Sequence, residues 1–67
     1  MDDVKPISIE TLLAHRGWVR SLARRLVYDD SQVDDVEQQT WLAALERPPR
    51  RGQPRAWLAA VVRNVAS

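Results

Sequence analysis

Residues 33–45 read VDDVEQQTWLAAL. Val33, Val36, Thr40 and Ala44 recur three and four residues apart, the spacing that puts side chains on one face of an α-helix. Asp35, Gln38 and Leu42 follow the same spacing on the roughly opposite side. The stretch therefore predicts one helix with two faces. One is apolar and turned inward, with Trp41 and Leu45 on its flanks. The other is acidic, amide-bearing and partly apolar. No alternation of period two and no hairpin signal occurs along the chain, so the fold class is all-α.

Helices are expected on both sides of this one. Upstream, Ser8 is a good N-cap with Pro6 just before it, so a first helix should run from about Ser8 to near Tyr28, where YDDS reads as a turn. Leu12, Val19, Leu22, Ala23 and Leu26 form its core stripe. Arg16, Arg20 and Arg24 recur every four residues on another face. Ser31 or Asp30 is expected to cap the second helix, with Asp34 in its first turn, where a carboxylate complements the helix dipole. Pro48 and Pro49 should end it, because the residue before a proline disfavours helical angles. Then comes RPPRRGQPR, residues 47–55, a stiff and basic connector in which Gly52 supplies the turn. Pro54 suits the first position of a third helix. That helix is apolar nearly all round until Arg63 and Asn64, so it requires burial on most sides. The expectation is a small three-helix domain over residues 8–67, preceded by a tail over 1–7.

The bulk numbers narrow the possibilities. A chain of 67 residues makes one domain at most. At this size a fold buries only about 60% of its unfolded surface, so stability is marginal. Cysteine is absent and His15 is the single histidine, which excludes a disulfide framework and leaves no metal site. Hydrophobic residues make up 45% and charged ones 28%, a balance that suits a globular domain rather than a disordered tail. There is no repeat and no low-complexity segment. No apolar run is long enough to span a membrane, and the acidic N-terminus lacks a signal-peptide core. The expected address is the cytoplasm. The carboxylates have no nucleophile, metal set or histidine beside them, so no catalytic constellation is present. The expectation is no enzyme, no cofactor and no small-molecule substrate.

A net charge of +1 conceals segregation. Residues 11–27 carry four arginines and no acid, residues 28–46 carry six acids and no base, and residues 47–67 carry five arginines and no acid. Arg50, Arg51 and Arg55 flank the expected N-terminus of the third helix. Unpaired N–H groups, the positive dipole end and arginine forks together suit an anion, with phosphate foremost. The alternative is a solvated loop. Asn64 shares a face with Trp57 and Val61; its amide either bonds nearby backbone or reads a base edge at the rim of a pocket. Trp57 is read as core rather than as a stacking platform. Asp35, Gln38 and Leu42 form either a solvated face or a surface on which a basic or amphipathic partner helix lies.

Three segments in this order resemble region 2 of a sigma factor of the extracytoplasmic-function (ECF) type, within the sigma-70 family. SLARRLVYD, residues 21–29, resembles the end of the first conserved helix. VDDVEQQTWLAAL resembles the Ala-Glu-Asp-Leu-Val-Gln-Glu-Val-Phe segment, with Asp35, Gln38 and Gln39 on its Asp, Gln and Glu positions and Trp41 on its aromatic. PRAWLAAVVRNVA, residues 54–66, resembles the Trp-Leu-x-x-Ile-Ala-Arg-Asn-x-Ala segment through Trp57, Leu58, Arg63 and Asn64. Each segment alone is weak; all three in order make a fairly specific signal over roughly residues 11–67.

The resemblance implies a transcription initiation domain. It implies docking on core RNA polymerase through the clamp helices of the β′ subunit, with Asp35, Gln38, Gln39 and Leu42 facing them. It implies recognition and melting of the promoter −10 element, with Arg50, Arg51, Arg55, Arg63 and Asn64 facing the non-template strand. Asn64 sits where the family places a pocket asparagine for a flipped-out base, and an anti-sigma factor is a further partner of such domains. The chain departs from the pattern at Val33, where a small Ala is usual, at Gln39, where an acid is usual, and in the connector, which lacks the frequent aromatic. In the family a basic helical stretch and a separate region 4 follow. Neither lies within the 67 residues, so a truncated domain with low DNA affinity of its own is expected. Two rivals remain. The arginine-only segment 47–67 argues against a protein-interaction module that never meets DNA. The acidic helix face argues against a general nucleic-acid binder, since carboxylates repel phosphate.

Overall fold

Ser8 opens the first helix, its Oγ accepting the Thr11 N–H at 3.2 Å. In the structure, a computed structural model, residues 5–67 are described. They form four helices, α1 (Ile9–Leu13), α2 (Arg16–Leu26), α3 (Asp30–Glu46) and α4 (Pro54–Ala66), with no strand among the described residues. The all-α expectation holds. Of the expected tail over 1–7, positions 1–4 lie outside the described residues. Ile7, by contrast, is half-buried, and its N–H donates to the Pro49 carbonyl at 2.8 Å.

The spacing predicts one unbroken first helix, and the structure has two. The chain turns at Ala14 and His15, where the His15 N–H bonds Leu12 O at 3.0 Å and the helix resumes at Arg16. Two causes act together. Gly17 weakens helix propagation just past the break. The Ile7–Pro49 bond ties the approach to α1 onto the connector beyond α3, while α2 packs on both α3 and α4. The bend lets the two halves meet different neighbours, and Leu12 and Val19 are both fully buried across it.

The N-cap of α3 lies one residue before the nearer of the two expected. Asp29, in extended backbone, is the N-cap, and its Oδ1 accepts the Gln32 N–H and the Ser31 hydroxyl, each at 2.9 Å. Ser31 and Asp30 lie inside the helix, because the Asp29 carboxylate takes the third-position amide and the serine hydroxyl together. These bonds hold the Asp29 carboxyl below the usual aspartate range, the Gln32 amide contributing most and Ser31 next. A lowered folded-state pKa stabilises the fold fully above the unfolded value, and the contribution disappears as pH falls through the folded one. Asn is an equally good cap that does not titrate. Asp29→Asn should therefore leave the thermal melt at pH 7 nearly unchanged and make the loss of stability below about pH 4 shallower. Identical acid limbs in the two proteins would show that the ionised cap contributes nothing.

At the far end, Arg47 leaves helical angles before Pro48, and Pro54 stands in the first turn of α4. Gly52 has φ of 85°, a left-handed conformation that a side chain would strain. Between the helices, Leu12, Val19, Ala23, Val33, Val36, Ala44, Leu58 and Val62 make one core. Thr40 is buried among them, and its hydroxyl donates to Val36 O at 2.8 Å, so no polar atom is stranded. Leu26, expected in the core stripe, is 42% exposed, and Leu45, expected on the flank of the inward face of α3, is 64% exposed. Leu26 is the last residue of α2, and Leu45 lies at helical spacing on the side of α3 away from the core. α4 is not enclosed all round. Leu58, Ala59 and Val62 are buried, while Trp57, Val61 and Val65 are half-buried along an outer row.

Candidate functional site

The acids of residues 28–46 divide by task. Asp29 caps α3. On the flank of α3 that meets α2, Asp34 Oδ1 accepts from Arg20 Nη1 at 3.0 Å, and Glu37 accepts from the same nitrogen. The bonds to Asp34 and then Glu37 push the Arg20 guanidinium above its ordinary value and keep it charged. Spacing puts Arg20 on a solvent face with Arg16 and Arg24; it is instead half-buried against α3, while the other two are exposed. Two of the three acids of VDDVEQQTW, Asp34 and Glu37, therefore share one arginine of the domain itself.

What remains faces outward. Asp35, Gln38, Gln39 and Leu42 are all exposed. Leu42 is 44% exposed, and Leu45 extends its row, so that 35, 38, 42 and 45 run along the side of α3 opposite the core at helical spacing. The sequence reading puts Leu45 on the core flank, although its place ten residues after Asp35 is a signal for the outward row.

The expected nucleic-acid residues do not form one cluster. Arg50 and Arg51 are exposed on the connector, and Arg63 is exposed in the last turn of α4. Arg55 is exposed at the start of α4, with Nε donating to His15 Nδ1 at 3.3 Å and its guanidinium 5.2 Å from the Trp18 ring centre. Neither His15 nor Trp18 carries any local signal for these contacts, the first of which joins residues 40 positions apart. Asn64 is exposed and, as its spacing implies, shares a surface with Trp57 and Val61. The three line a groove of about 400 Å³ between α3 and α4.

The opposite wall of that groove is Gln39, Leu42 and Glu46. Two residues expected to meet polymerase thus stand across a cleft from one expected to meet a base. Trp57 is neither core nor free platform, since it is packed against the core on one side and lines the groove on the other. Gln39 and Asp35 also line an adjoining depression of about 420 Å³ with Val27, Val65 and Ala66. The arrangement is one of adjacent surfaces meeting at a cleft. Among the described residues no cluster of three or more His, Asp or Glu could hold a metal, and no helix is long and apolar enough to cross a membrane.

Compared with known protein families, residues 12–67 match the family described as Sigma-70 region 2. No curated protein and no solved structure gives a match.

Proposed function

The chain belongs to the sigma-70 region 2 family, and from that membership we propose that residues 8–67 are the domain through which an ECF sigma factor docks on core RNA polymerase and recognises the promoter −10 element. Domains of this family serve polymerase binding and −10 recognition in general, and the family is one of transcription factor domains rather than enzymes. In this reading the exposed row Asp35, Gln38 and Leu42, with Gln39 beside it, meets the clamp helices of β′. Arg50, Arg51, Arg55 and Arg63 meet phosphates of the non-template strand, and Asn64 meets a base at the α3–α4 groove. The domain works in the cytoplasm, where an anti-sigma factor would compete for the same surfaces.

The observation that carries this reading is how charge is left over. Within the described residues, Asp34 and Glu37 are paired with Arg20, while no carboxylate lies in ion-pair range of Arg50, Arg51, Arg55 or Arg63. The outward row of α3 carries no base at all. One surface is prepared for a basic or amphipathic helix and another for a polyanion. On a single strand, each phosphate that a protein ceases to neutralise lowers the slope of log affinity against log salt by about 0.7. Changing Arg50, Arg51 and Arg55 together to Ala should thus flatten that slope for single-stranded −10 DNA by up to roughly two units. An unaltered slope would remove the connector from the DNA interface.

A further inference from the structure

His15 occupies the N-cap position of α2, yet its side chain makes no capping bond. Its Nδ1 is turned to α4 and accepts from Arg55 Nε at 3.3 Å. The Arg55 guanidinium also lies over Trp18, 5.2 Å from the ring centre. Both supports are half-buried, while Arg55 itself is exposed. The arginine is gripped by one face and by its inner nitrogen. Among the described residues no hydrogen bond engages its two terminal nitrogens, the fork that binds a phosphate in bidentate fashion.

The nature of the acceptor is informative. Arg20, which fastens α2 to α3, is met by two carboxylates that cancel its charge. Arg55 is met by a ring face and by an imidazole nitrogen that must be unprotonated to accept. These fix its direction and leave its charge whole. Arg16, next to His15, is exposed as well, and neither residues 11–27 nor 47–67 contain an acid. Arg16 Nη1 donates to Leu13 O at 3.4 Å, and among the described residues neither Arg16 nor Arg55 has a carboxylate in ion-pair range, although Glu10 lies nearby in α1.

We infer that His15 and Trp18 position Arg55 for a phosphate of single-stranded nucleic acid, which makes the α1–α2 corner part of the nucleic-acid surface. The inference rests on reading Arg55 as a phosphate ligand. His15 and Trp18 act through Arg55: a guanidinium already held in place gives up less rotamer freedom on binding.

The test is fluorescence anisotropy of labelled oligothymidylate titrated with the chain over a series of salt concentrations. Arg55→Ala should lower the salt slope by about 0.7. Trp18→Leu keeps an apolar side chain and removes the ring face. It should weaken binding about two- to fivefold in the native background and not at all in the Arg55→Ala background, and Trp18→Phe should restore most of the loss. His15→Ala should show the same dependence on Arg55, which keeps the test open if Trp18→Leu does not fold by circular dichroism. An unchanged slope in Arg55→Ala overturns both the phosphate role of Arg55 and its positioning. A changed slope in Arg55→Ala, with Trp18→Leu or His15→Ala weakening binding equally in both backgrounds, leaves Arg55 as the ligand and overturns the positioning alone.

Discussion

Asp35→Arg combined with Gln38→Ala is expected to abolish capture of core RNA polymerase, or of a fragment carrying its clamp coiled coil, with the far-UV circular dichroism unchanged. Both residues are exposed on α3, and neither side chain takes part in a hydrogen bond or ion pair among the described residues, so their replacement should leave the fold intact. The expected loss is large because reversal does more than remove an attraction. It would place like charge against the basic or amphipathic helix proposed to dock there. A hot-spot residue of an interface costs about 2 kcal/mol or more when truncated, roughly thirtyfold in affinity. Asp34→Asn is the internal comparison. Asp34 already faces Arg20, so its loss should reduce stability more than docking. Retention of the double variant at native affinity would move the polymerase surface off this face of α3.

Leu58→Ala should unfold most of the domain. Leu58 is fully buried in α4, and α4 packs against both α2 and α3, so this one side chain lies where three helices meet. A buried leucine cut back to alanine typically costs about 2–5 kcal/mol, through lost transfer energy and the cavity left behind. A single core at this chain length rarely supplies more than about 3–5 kcal/mol of net stability. The two quantities are alike in size, so the variant should show little cooperative transition in a urea or thermal melt. Leu45→Ala, at a position 64% exposed, should melt close to the native chain. A Leu58→Ala melt within a few degrees of native would mean that α4 is not integral to the core.

The division between these two kinds of residue is partly legible in the sequence. Spacing alone assigns Val33, Val36, Thr40 and Ala44 inward, and all four are buried. Ser8 as a cap, Pro54 in the first turn of α4 and the stop before Pro48 also follow from the residues themselves, since each acts within a turn of its own position. The two misplacements differ in cause. Leu45 falls at helical spacing on the outward row with Asp35, Gln38 and Leu42. Leu26 has the right spacing for a core, but spacing shows which side of a helix a residue is on. It does not show whether a neighbouring helix reaches that far along. The break at Ala14 and His15 is hidden because a helical pattern continues across it, and part of its origin lies in the distant bond between Ile7 and Pro49.

By itself, then, the sequence determined the helical class, most helix ends and the inward face of α3, because periodicity, caps and prolines act over three or four residues. It also displayed the charge blocks. Only the tertiary structure decided what those charges do. The approach of α2 to α3 put Asp34 and Glu37 within ion-pair reach of Arg20. The approach of α4 to α3 put Asn64 across a groove from Gln39 and Leu42. The α1–α2 corner came close enough to α4 for His15 and Trp18 to hold Arg55. Each of these depends on how helices far apart in the chain are rotated and offset against one another, and no local pattern specifies that geometry.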